Sequence, residues 1–230
     1  MDSSRRHFTL AGTAAALSAT FGSLPARAST ADEAATLVQR ATATVNAFAG
    51  NADYGALPGM LAKARGVLVY PRIIEGGFIL GGAGGSGVLL VRDAKTGEFH
   101  GPAFYTMGGV SIGFLAGGQA AEVLLLVNSD NALNTLLSST VKLGAAASIA
   151  AGPRGAGEGA AITTDFTSFS RNRGAFANMS LNGQVIGVRE TLNVAFYSKP
   201  VTPVDILITR NVTNPAADPL RGALKAMVKR

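Results

Sequence analysis

This sequence predicts a glycine-rich sheet domain carrying helices, on three observations. Glycine is over-used, at 29 of 230 residues against an average near 7%. It sits beside Val, Leu, Ile and Phe rather than in a linker or a G-X-Y period. Short apolar runs closed by turn residues recur through the middle of the chain, which is the pattern of strands. Helical periodicity marks both ends. Glycine inside apolar runs marks bulges, tight bends or close backbone approach in sheets. With 47% hydrophobic residues the chain can bury one sizeable core, and no linker or repeat of about 20–50 residues divides it.

The elements follow in order. Ala31 to Ala49 reads as a helix with Thr30 as cap, Asp32 and Glu33 at its positive end, and Leu37, Ala41, Val45 and Phe48 as an apolar stripe. Gly50 ends it, and a shorter helical turn covers Pro58 to Ala64. Gly66 to Tyr70 is a strand closed by Pro71, and Gly77 to Leu80 and Val88 to Arg92 are two more. Asp93 to Gly97 has turn chemistry and leads to a strand near Glu98 to Met107. Val110 to Leu115 and Glu122 to Val127 continue the sheet. Ser129 caps a helix over Asp130 to Leu137. Lys142 to Ala151 and Gly159 to Thr164 are expected to pair as strands, and Phe166 to Arg171 with Ala175 to Leu181 as a hairpin. Asn182-Gly183 turns into a strand at Val185 to Val188. Thr191 to Tyr197 reads as helical, and Pro200 and Pro203 break the chain before Val204 to Ile208.

Residues 1–28 read as an address rather than as part of the fold. Ser4-Arg5-Arg6-His7-Phe8-Thr9-Leu10 matches the twin-arginine pattern, and Ala26-Arg27-Ala28 supplies an A-x-A cleavage site before Ser29. The apolar stretch between them is about 15 residues, short of the roughly 20 that span a bilayer. The expectation is a leader cut after Ala28, a domain over 29–210, and a tail over 211–230, exported to the periplasm and peripheral to a membrane. Loss of Arg5, Arg6, Arg27 and Asp2 leaves 17 of the 20 basic and 13 of the 14 acidic residues. All the remaining surplus lies in the tail, where Arg221, Lys225, Lys229 and Arg230 face no acid in the last ten residues. Nucleic-acid binding needs a basic face on the domain itself, so no nucleic acid is expected as a partner.

Several motifs invite chemistry and lack what the chemistry needs. Gly109-Val110-Ser111-Ile112-Gly113 fits G-x-S-x-G, but a hydrolase of that type needs a His base later in the chain. The one His beyond the leader, His100, comes earlier. Gly82 to Gly87 contains G-x-G-x-x-G, yet Val88-Leu89-Leu90-Val91 follows as a strand where a dinucleotide loop opens a helix. The chain has no Cys, which excludes disulfides, thiol nucleophiles and thiolate metal sites. One His without Cys does not build a transition-metal site. We therefore expect no catalytic residue, no metal, no cofactor and no enzymatic activity.

Cationic groups are the remaining candidates. In the tail, Leu220, Ala223, Leu224, Met227 and Val228 fall on one helical face and Arg221, Lys225 and Lys229 on another, with Arg230 beyond. Such a helix can lie on an anionic membrane or dock on its own domain. Lys63, Arg65 and Arg72 bracket the first strand and together could seat a phosphate headgroup.

A run of linked motifs resembles the SYLF family. Lys63-Ala64-Arg65-Gly66-Val67-Leu68-Val69-Tyr70-Pro71 is similar to its opening motif, and Gly76-Gly77-Phe78-Ile79-Leu80-Gly81-Gly82 to its AGF-x-x-GG segment. Gly87-Val88-Leu89-Leu90 resembles its GEGVL element, with Ser86 in place of the acid. Ser111 to Phe114 with Ala116 to Gln119, then Glu122 to Leu125, resemble the region that follows. The resemblance implies a single α+β domain with a mainly antiparallel, glycine-rich sheet, curved or barrel-like, and flanking helices. It also implies a lipid-binding module, since eukaryotic members bind phosphoinositides and some bind actin, while bacterial members are mostly exported. The helix matching the family's lipid-binding element, Ala31 to Ala49, has the single base Arg40. The expected partner is an anionic phospholipid surface contacted by Lys63, Arg65, Arg72 and the tail bases, with shallow insertion of apolar groups from the tail and the N-terminal helix. The alternative is a structural or protein-partner module of the cell envelope.

Overall fold

The strand that begins at Gly66 does not stop at Pro71. In the computed structural model, which describes residues 26–77, 80–112, 117–138, 140–153, 164–173 and 181–230, it runs on as β1, Gly66–Gly77. Proline brings no N–H to the ladder, and the strand absorbs the loss as a bulge. Val69 to Ile74 is five steps on β1, against four from Val88 to Gly84 on the neighbouring β2, Leu80–Arg92. The sheet continues through β3 (Phe99–Ile112), β4 (Gly117–Val127), β5 (Val141–Lys142), β6 (Ile149–Ala151), β7 (Phe166–Arg173) and β8 (Val185–Val188). The spatial order is β5-β8-β3-β2-β1-β4-β7-β6. Every pairing is antiparallel except β6 with β7.

Chain connectivity forces this sheet to curl. Laid flat, its eight strands would separate β5 from β6 by about 33 Å at roughly 4.8 Å per strand. Only residues 143–148 join those two edges, and even extended they reach no more than about 25 Å. They are not extended, because the Gly144 N–H donates to the Ala147 carbonyl at 2.8 Å. The result is an α+β half-barrel with two cores. On the concave face Leu68, Tyr70, Leu89, Tyr105, Leu125 and Phe166 are fully buried, covered by α3 (Asp130–Ser138) and α5 (Pro203–Leu207). On the convex face Val67, Val69, Val88, Leu90, Phe104 and Leu124 are equally buried. They lie beneath α1 (Ala26–Ala49), α2 (Leu57–Leu61), α4 (Glu190–Tyr197) and α6 (Asp218–Val228). Because the central strands are covered on both sides, they read as unbroken apolar runs rather than alternating ones.

The helices follow their apolar stripes. Leu37, Ala41, Val45 and Phe48 of α1 are all buried, as their spacing predicts, and so is Val38. Asn193 on α4 is wholly buried and accepts the Phe104 N–H at 2.8 Å, tying that helix to β3. Leu220, Leu224 and Met227 of α6 sit in the same core as α1. Shallow insertion of these tail groups into a bilayer is therefore not what the fold provides: α6 spends its apolar face on the domain itself.

Other expectations are corrected by register. Of the strand expected over Gly77 to Leu80, Gly77 ends β1 and Leu80 begins β2, and residues 78–79 lie outside the described ones. The strands expected near Glu98 to Met107 and over Val110 to Leu115 are one, β3, from Phe99 to Ile112, and residues 113–115 lie outside the described ones. The helix expected from Ala31 begins at Ala26. Lys142 to Ala151 is broken by its turn into β5 and β6, which pair with β8 and β7. Residues 159–163 and 175–180, from the expected partners of Lys142 to Ala151 and of β7, lie outside the described residues. β7 pairs instead with β4. Long-range pairings of this kind are set by which faces can be buried together, which local turn chemistry does not encode.

Candidate functional site

Beside the bulge in β1 lies a recess lined by two arginines. Bulges re-aim side chains, and here Arg72 turns toward α1. A cleft of about 470 Å³ opens between them, lined by Arg40, Ala43 and Thr44 of α1, Pro71 and Arg72 of β1, and Ala120, Ala121 and Glu122 of β4. Arg40 and Arg72 are exposed, and neither has an ion-pair partner among the described residues. Glu122 is buried, with its side chain 8% exposed, and is paired with Arg171 directly across the β4–β7 ladder. The Arg171 Nε donates to Glu122 Oε2 at 2.7 Å. That pairing neutralises the cleft's carboxylate, so a ligand entering it meets two guanidinium forks that carry no ion pair among the described residues. Guanidinium groups bind carboxylate and phosphate oxygens bidentately.

Of the residues predicted from sequence, Arg72 alone lies in this cleft. About seven strand residues at roughly 3.3 Å each put it some 20 Å from Arg65. Arg65 pairs with Asp130 at the start of α3, at 2.7 Å. Lys63 is exposed beside it. The tail bases are divided between structural and free roles. Arg221 is only 25% exposed, donates to the Gly101 carbonyl at 2.8 Å and pairs with Asp218. Lys225 pairs with Glu98, and Arg230 donates to the Ala49 carbonyl at the end of α1 at 2.6 Å. Lys229 is exposed. Lys63, Arg65, Lys225 and Lys229 thus collect at the end of the sheet where β1 begins and β2 ends; the Arg92 N–H donates to the Arg65 carbonyl there at 2.9 Å.

Sequence reasoning did not assign Arg40, Thr44, Glu122 and Arg171 to a site. The available signal was Pro71 inside a motif that otherwise reads as a central strand, since proline in that position implies a bulge. The Glu122–Arg171 pair leaves no trace at a separation of 49 residues. Of the other motifs, Gly109 to Ile112 lies in β3 and Gly113 lies outside the described residues. Gly82 to Gly87 lies inside β2, and Ser86 accepts from Arg189, which also pairs with Glu33 at 2.7 Å. His100 is half-buried, and burial together with the nearby Arg210 charge pushes its pKa below the usual histidine value. Among the described residues, no helix is long and apolar enough to cross a membrane.

Comparison with known proteins places the chain among one set of relatives. Residues 108–227 match the family model described as Ysc84, Las17-binding protein actin regulator. Protein YSC84 of Saccharomyces cerevisiae is 31% identical over 182 residues, covering 76% of this chain and 38% of that protein. LAS seventeen-binding protein 3 of the same species is 30% identical over 182 residues, 76% of this chain and 39% of that protein. The human SH3 domain-containing YSC84-like protein 1 is 29% identical over 153 residues, 64% of this chain and 44% of that protein. The chain therefore spans about two fifths of the length of the curated relatives it matches. No solved structure matches it.

Proposed function

Because the chain belongs to the Ysc84 (SYLF) family, we propose that it is a non-enzymatic module that binds the headgroups of anionic phospholipids at an envelope membrane. The supporting observation is that Arg40 and Arg72, neither of them ion-paired among the described residues, line one cleft whose lining carboxylate, Glu122, is already paired with Arg171. Lys63, Arg65, Lys225 and Lys229 at the sheet end add a second positive region that a charged bilayer would attract. Both contacts are electrostatic and involve no bond-making step.

Co-sedimentation with vesicles tests this directly. The purified protein is expected to bind phosphatidylglycerol-containing vesicles at low salt and to leave phosphatidylcholine vesicles in the supernatant. Each base near an anionic surface is worth about 1 kcal/mol. The Arg40→Gln/Arg72→Gln double variant should therefore lose about 2 kcal/mol, roughly thirtyfold in affinity. Lys225→Gln/Lys229→Gln should lose less, since Lys225 is already paired with Glu98. Equal binding to both vesicle types would sink the reading. The relatives named for binding Las17 favour a protein partner as the second reading. Crosslinking to one envelope protein by a chain that ignores vesicles would select it.

Export is part of the same proposal, with the twin-arginine leader directing the folded chain across the membrane. The first residue of the exported protein, read by N-terminal sequencing, is expected to be Ser29. Recovery of an uncut chain from the cytoplasmic fraction alone would remove the envelope from the reading.

A further inference from the structure

The glycines of the sheet fall into two groups that the fold treats differently. On the concave face they are required: a Cβ at Gly85 would lie 2.4 Å from the Arg72 carbonyl oxygen, and one at Gly87 2.5 Å from the Tyr70 ring. On the convex face, beyond the reach of α1, they are not. A Cβ at Gly84 would meet nothing nearer than 3.5 Å, at Gly108 nothing nearer than 3.7 Å, at Gly82 nothing nearer than 3.8 Å, and at Gly76 nothing within 4 Å. None of these four has a positive φ. Glycine weakens a strand and offers nothing to pack; Gly84 pairs with Ile74 at the β1 bulge, and no contact with the described residues requires glycine at the other three positions. Beside bulges and bends, glycine in a strand also permits close approach by something outside it.

Register shows what this face presents. Val185 of β8, Gly108 of β3, Gly84 of β2 and Ile74 of β1 pair in succession, a row about 14 Å wide at strand spacing. Gly82 and Gly76 pair in the next row outward. Ile74 is 50% exposed and Val185 36% exposed, two of the few large aliphatic side chains left in solvent among the described residues. From Val185 to Ile74 this row of the convex face is apolar, and its inner border at β1 is the Arg40–Arg72 cleft, with Ile74 two residues from Arg72. An apolar strip ending at two guanidinium groups is complementary to an anionic amphiphile.

We propose that this glycine-paved strip seats the acyl chains of the anionic lipid whose phosphate lies between Arg40 and Arg72. The proposal rests on the headgroup reading above and adds a hydrocarbon-binding surface to it. It assigns Ile74 and Val185 as acyl contacts, with the glycines giving the chains access to the sheet backbone.

The chain contains no Trp, so Ile74→Trp introduces a single fluorophore into the strip. Phosphatidylglycerol vesicles brominated on the acyl chains are expected to quench its emission by more than half relative to unbrominated vesicles. In the unaltered Ile74 background, Gly84→Val/Gly108→Val should keep or raise the melting temperature while weakening vesicle binding about tenfold. Vesicle binding with no bromine quenching, and with the glycine variant binding as before, would overturn the acyl seat and leave the headgroup reading standing. Failure to sediment with anionic vesicles at all would overturn both. A blue shift that follows protein concentration without lipid would identify a second copy of the chain as the occupant and overturn the proposal.

Discussion

Leu224→Ala is expected to lower stability by about 2–5 kcal/mol, the range for large-to-small changes at closed core positions. Leu224 is fully buried, with Leu220 and Met227 beside it, in the core formed by α1 and the convex face of the sheet. Its removal leaves a cavity between two helices that are themselves held by ion pairs and carbonyl contacts, so collapse can relieve only part of the loss. Chemical denaturation followed by far-ultraviolet circular dichroism measures the effect. Lys225→Gln on the same helix should shift the midpoint by less than about 1 kcal/mol, because the Lys225–Glu98 pair is exposed on both sides. A Leu224→Ala change as mild as Lys225→Gln would mean that α6 is a detachable tail after all.

Gly87→Ala should be nearly as damaging despite adding one methyl group. The new Cβ would lie 2.5 Å from Tyr70 Cδ1 and 2.6 Å from the Val69 carbonyl oxygen. Tyr70 is wholly buried and has no room to withdraw, and the carbonyl belongs to the adjoining strand. Overpacking of this kind costs about 1–3 kcal/mol and sometimes more. Tyr70→Leu in the same chain removes the ring contact but not the carbonyl contact, so it should restore only part of the loss. Full restoration would show that strand spacing at β1–β2 is more yielding than the pairing of Val69 with Val88 implies. Gly84→Val, three residues away on the opposite face, adds more atoms at no comparable cost, which makes the pair a direct measure of facing.

The α1 stripe, the position of α3 and the strand runs near 66–70, 88–92 and 122–127 were legible because each depends on neighbours within a few residues. Helical spacing of Leu37, Ala41, Val45 and Phe48 and the Ser129 cap are local signals, and the Ala132 N–H indeed donates to the Ser129 hydroxyl at 3.0 Å. The resemblance carried the antiparallel, curved sheet. The candidate site was legible only in Arg72. Lys63, Arg65 and Arg72 look adjacent along the chain, but an extended strand places its two ends far apart. Arg40 and Arg72 look distant, 32 positions apart in the numbering, yet α1 returns across β1 at the bulge.

By itself the sequence determined the helices and central strand runs that local signals mark, the apolar faces that had to be buried, and the absence of a thiol and, after residue 28, of a second histidine for chemistry. Those properties follow from composition and short-range periodicity. Tertiary structure alone decided which glycines are obligatory, which bases are spent on carbonyls and carboxylates of the domain, and that Arg40 and Arg72 line one cleft. Each of these depends on strand register and helix crossing, which arise when two faces are buried at once and are written in no short stretch of chain.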